Sequence, residues 1–200
     1  MGIRCAERTL LRKHLVAAAA IAAFALVPLG PGLAGAATAP TDTTATTVYA
    51  KEVKGKLKFV APETVFQGQE LTFLAETDPK KVGPHTFSMV TKGVLPKTPN
   101  ARKNCFTPKH ICMSIAKWHG FNPKTEKITV NPVDAGPEGW STLGNNSKKG
   151  DSWFSGETKK GASITKTVTA DPATTPVIYF LCAVHPWMHA KSTVLTPPVS

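Results

Sequence analysis

The stretch that most restricts this chain is VIYFLCAVHPWM, Val177 to Met188. Its first half, Val177 to Cys182, is apolar, β-branched and aromatic and follows Pro172 and Pro176. It reads as a central strand buried on both faces. Its second half places a thiol, an imidazole and a thioether (Cys182, His185 and Met188) within seven residues. A cysteine alone in such a strand is most often a packed small hydrophobe. Three donors of this kind directly after a buried strand point instead to a metal, and their chemistry favours copper. Thiolate and thioether sulfur suit Cu(I), imidazole suits Cu(II), and a trigonal set of two histidines and one cysteine with a weak axial methionine serves both. The two-residue gap from Cys182 to His185 lets the loop fold back on one ion, Pro186 stiffens it, and Met188 reaches the axial side.

The set needs a second histidine from elsewhere. His85 is the best candidate: it opens the β-prone run His85 to Val90, where Phe87 and Met89 share its side. His110 and His119 lie in a polar region and are weaker candidates, and His189 follows Met188 directly and would point away. On these residues the chain resembles the cupredoxins. The spacing Cys-x₂-His-x₂-Met with Pro after the histidine is most similar to amicyanin, and Gly83-Pro84-His85-Thr86-Phe87 resembles the family's separate N-terminal histidine ligand. The resemblance implies an all-β, Greek-key β-sandwich with one type 1 copper ion held by His85, Cys182, His185 and Met188. It also implies outer-sphere electron exchange with redox partner proteins. Two departures stand out. His85 and Cys182 are farther apart than in small cupredoxins, and the position four residues before the cysteine is Ile178, with Tyr179 one step later.

Elsewhere the chain shows several short strands separated by turn signals, as an antiparallel sandwich does. Val53 to Val60 alternates late in the run and reads as a half-buried strand. Thr64 to Phe66 and Leu71 to Leu74 flank a turn at Gln67 to Glu70, Ile164 to Thr169 alternates again, and Ser192 to Leu195 would close the sheet. Residues 94–150 are rich in Pro, Gly, Asn and Lys and read as an irregular, partly helical insertion, with a short helix expected in Pro108 to Trp118. Cys105 and Cys112 are close enough to pair across one loop; the alternative is a thiol pair that binds a second metal with His110.

The beginning of the chain reads as a leader. Arg4, Arg8, Arg12 and Lys13 precede thirteen apolar residues, Leu15 to Val27, and Ala34-Gly35-Ala36 fits a cleavage site. The apolar run is short for a bilayer span of about 20 residues. Residues 1–36 are therefore expected to be a secretory signal peptide, 37–47 a Thr-rich tether, and 48–200 the copper domain. The expected product is a secreted or periplasmic monomer with no membrane span after cleavage. An oxidising destination leaves Cys182 as the odd thiol once Cys105 and Cys112 pair. The formal charge of +11 falls to +8 without the leader, which favours acidic partners or anionic cell-surface polymers, with plain solubility as the alternative for lysines spread along the chain; nucleic acid is not expected, for no such motif is present. Multicopper oxidases place histidines beside the type 1 cysteine, whereas Cys182 has Leu181 and Ala183, so no enzyme is expected. The alternative function is extracytoplasmic copper storage or delivery, against which stand only three methionines after the leader, Met89, Met113 and Met188. Trp187 is a candidate aromatic edge for electron transfer, with simple packing as its alternative.

Overall fold

The structure, a computed structural model, describes residues 46–199 apart from 126, 129–133 and 137–138, and only the backbone of 127 and 128. They belong to a compact unit spanning Ala39–Ser200. The expected leader and nearly all of the tether lie outside the described residues. The first strand opens at Thr46, two residues before the expected start at Val48.

Twelve strands and three short α-helices follow one another along the described chain: β1 (Thr46–Val53), β2 (Lys56–Val60), β3 (Thr64–Phe66), β4 (Glu70–Ala75), α1 (Pro79–Val82), β5 (Thr86–Val90), α2 (Pro99–Lys103), α3 (Ile111–Trp118), β6 (Phe121–Asn122), β7 (Lys127–Ile128), β8 (Asp134–Ala135), β9 (Ser152–Phe154), β10 (Ala162–Thr167), β11 (Val177–Leu181) and β12 (His189–Leu195). One sheet has the order β10-β4-β1-β2, the other β3-β12-β11-β5-β9-β8; β6 and β7 form a separate small ladder. The fold is therefore the expected all-β sandwich with a partly helical insertion. Both sheets are mixed rather than antiparallel: β1 runs parallel to β4, and β12 to β3. The chain leaves the first sheet after β2, forms β3 in the second and returns as β4 beside β1, so no hairpin constrains that pair to be antiparallel.

The expected strand over Val53 to Val60 is instead the end of β1, a turn and β2. Lys54 and Gly55 both have positive φ (52° and 71°), and Val53 pairs with Lys56 across them. That is the two-residue hairpin geometry that matches strand twist. Glycine fits its second position without strain, and the late alternation of Lys and apolar residues belongs to β2 alone.

The core lies between the two sheets. Phe59 and Phe73 from the first sheet meet Phe87, Trp153 and Phe180 from the second, with Phe87 centroids 5.0 Å from Phe59, 5.4 Å from Phe73 and 5.3 Å from Trp153. Each such side chain removed from water contributes about 1.5–3 kcal/mol. A second cluster joins Val90, Leu181 and Ala183 to Cys105, Ile111, Cys112, Ile115 and Trp118 of the insertion. α3 presents Ile111, Cys112, Ile115 and Trp118 as its buried stripe, and Cys105 and Cys112 are disulfide-bonded, which leaves no thiol pair for a second metal. Insertion residues thus pack on the outer side of β5 and β11. That is why both strands carry apolar side chains at consecutive positions and why β5 is buried at every residue.

Candidate metal centre

Alternation along two paired strands positions the donors. Ile178, Phe180 and Cys182 share the interior parity of β11, as His85, Phe87 and Met89 share that of β5; all but His85 belong to the same core cluster. β5 and β11 are antiparallel neighbours with Leu181 opposite Ser88. This register continues to bring His85 beside the end of β11.

His85, Cys182 and His185 form one buried group whose ligand atoms all lie within 4.8 Å of one another. Cys182 Sγ is 3.8 Å from His85 Nδ1 and 3.6 Å from His185 Nδ1. A sulfur at about 2.3 Å and a nitrogen at about 2.0 Å from one ion, separated there by 110–120°, would be roughly 3.5–3.7 Å apart. The triangle therefore has the size that one first-row metal ion needs, and its one thiol and two imidazoles are a donor set that copper accepts.

The loop that carries Cys182, His185 and Met188 is closed by its own backbone. Cys182 N–H donates to Met188 O at 3.0 Å and Met188 N–H to His185 O at 2.8 Å. The Met188 side chain is buried at the end of that loop. His185 Nε2 lies 2.7 Å from Val82 O; a carbonyl can only accept, so this nitrogen carries the proton and Nδ1 presents its lone pair toward the sulfur. His85 Nε2 meets Thr77 Oγ1 at 2.7 Å, and its backbone N–H donates to Ser155 Oγ at 2.9 Å. Ala183 N–H donates to Thr86 Oγ1 at 2.8 Å. Outer partners of this kind fix ring orientation and ligand basicity.

Burial also sets the charge state. It pushes the Cys182 thiol up to about 11, against opposing hydrogen bonds from Thr86 and the loop. Burial, with the neighbouring His185 second, lowers His85 to about 4. His185 is lowered too, again by burial, and the Val82 carbonyl opposes the shift. Without metal the three donors are neutral at pH 7, and a metal cation must displace the thiol proton.

No protein-family model matches the chain, and no curated protein does. Among solved structures it is similar to amicyanin from Paracoccus versutus (15% identity, TM-score 0.34, 80% of this chain and 87% of that one). It is likewise similar to auracyanin B (12%, TM-score 0.38, 76% and 88%). A third is auracyanin A, described as a "blue" copper protein from Chloroflexus aurantiacus (14%, TM-score 0.36, 76% and 98%). Identities and scores this low carry no argument about this chain.

The other described histidines lie outside this group. His110 precedes α3, exposed, with Nδ1 2.8 Å from Thr107 Oγ1. His119 is buried, with Nε2 2.7 Å from Ser152 Oγ. His189 pairs with Leu181 in the β11–β12 ladder. Trp187 is 48% exposed and its ring meets His185 edge-on, centroids 5.2 Å apart. Thr77, Val82 and Ser155 escaped the sequence reading. Asp78-Pro79 was the available signal: Asp78 Oδ1 accepts from Lys80 N–H and caps α1, with Pro79 in its first turn, so the segment between β4 and β5 is a fixed turn of helix.

Proposed function

We propose that the protein is exported and carries single electrons between redox partner proteins on one copper ion held by His85, Cys182 and His185, with Met188 as the weak axial donor. The triangle of buried donors is the observation that carries this reading. Copper bound there would supply one reversible electron by alternating between its two oxidation states. The chain's part is to keep the donors in one place whether the electron is present or not. His85 and His185 are pinned at their far nitrogens, the cysteine ends a central strand, and proline follows His185 in the loop. His185 itself is 5% exposed, so Trp187, half exposed with its ring against His185, is the proposed electron port. Burial of all three donors opposes storage or delivery, which need an open site for ligand exchange. It also opposes an enzyme, whose substrate would have to reach the metal. Among the described residues no helix is long and apolar enough to cross a membrane.

Metal analysis and a visible spectrum test the reading. One copper per chain is expected, with a strong band that ascorbate bleaches and air restores. Cys182→Ser should abolish the band, because the thiolate is its charge-transfer donor; an unchanged band in that variant refutes the ligand set. Met188→Leu should retain copper and raise the reduction potential, measured by voltammetry. An unaltered potential removes Met188 from the set.

A further inference from the structure

A cavity of about 140 Å³ opens between the insertion and the metal-binding loop, walled by Thr86, Phe106, His119, Phe121, Phe154 and Val184. Ala183 and Ala116 complete it. Two of these residues are polar, yet both turn their polar atoms to partners. The Thr86 hydroxyl accepts from Ala183 N–H, and His119 Nε2 is 2.7 Å from Ser152 Oγ. What faces the space is carbon, much of it aromatic. Its walls offer water no polar partner, and an apolar cavity of about 150 Å³ takes up benzene. Phe106 is 44% exposed and lies on the insertion side, where a ring can enter.

We propose that this cavity binds one small, uncharged aromatic molecule of about benzene size. A charged analogue loses its hydration and finds no counterpart on the wall, so discrimination against charge is part of the assignment. The site lies against residues next to all three donors, yet it needs no metal to form.

Benzene titrated into the full chain, kept reduced with ascorbate and followed by ¹H–¹⁵N NMR, provides the test. Saturable shifts centred on Thr86, His119, Phe154 and Val184 are expected, and benzylammonium at equal concentration should produce none. Ala116→Phe, which places a ring in the space from α3, should weaken benzene binding about tenfold or more. Should that variant lose the native spectrum, Phe106→Ser at an exposed position replaces it, with a several-fold weakening expected. Shifts that do not saturate, that centre elsewhere, that benzylammonium reproduces, or that survive the substitution at full affinity would overturn the proposal. Because the readout is independent of copper, its failure and that of the electron-carrier reading are separable.

Discussion

The two sides of β11 differ although they share one strand. Ile178, Phe180 and Cys182 face the opposing sheet and end in a metal ligand; Tyr179, Leu181 and Ala183 face the insertion. The interior side is covered by another sheet, whose own two-residue period supplies a continuous surface. The outer side is covered by a short helix in an irregular segment, with a disulfide close by. A sheet can cover a sheet by pattern alone, whereas so small a cover needs a staple and leaves space beneath it.

Removal of the staple should separate the two sides most sharply. The Cys105→Ser, Cys112→Ser double variant loses about 2.5 kcal/mol in the loop-entropy account, a fall in Tm of about 5–10 °C by calorimetry. The visible band of the copper-loaded form should stay, since no donor is touched. A lost band would mean that the insertion also holds the centre. A smaller effect on the interior side is expected from Thr77→Val, which removes the partner of His85 Nε2. Copper affinity, measured by competition with a chelator, should fall by about 10–100-fold. Thr77→Ser should restore it; failure of the serine to do so would make Thr77 a packing residue only.

The mildest test is acid. His85 in the folded chain titrates at about 4, below its ordinary value near 6.5, so the unfolded chain binds the proton more readily between those limits. Stability of the copper-free protein should be fully present above about pH 6.5 and decline toward pH 4, read as a fall in Tm by calorimetry. His185 shifts in the same direction and adds to the decline, whereas the copper-loaded protein should show less of it. A flat profile without copper would mean that neither ring is held neutral by burial.

The interior side of β11 was the legible one. Val177 to Cys182 announces a buried strand, and the expected donors His85, Cys182 and His185 lie together. Less was visible where the cause is three-dimensional. Lys54-Gly55 splits an apparent strand because a positive φ is needed at both residues, and Gly after a basic residue is a modest signal. The parallel pairs depend on the chain changing sheets, which local pattern does not record. Val82 acts on His185, a ring distant in sequence, and Thr77 on His85 just across α1, and the capped turn of α1 places both there. The helix expected within Pro108 to Trp118 forms over Ile111–Trp118, but the shorter α2 has just five residues and no apolar period to reveal it.

Among the described residues Cys182 is the free thiol, and none of its surface is open. In an oxidising compartment such burial would keep this oxidisable sulfur out of reach of peroxide, glutathione disulfide and neighbouring copies of the chain. Alkylating reagents could then modify position 182 only at the rate at which the sandwich parts, and covalent dimers would be a record of chains that had opened.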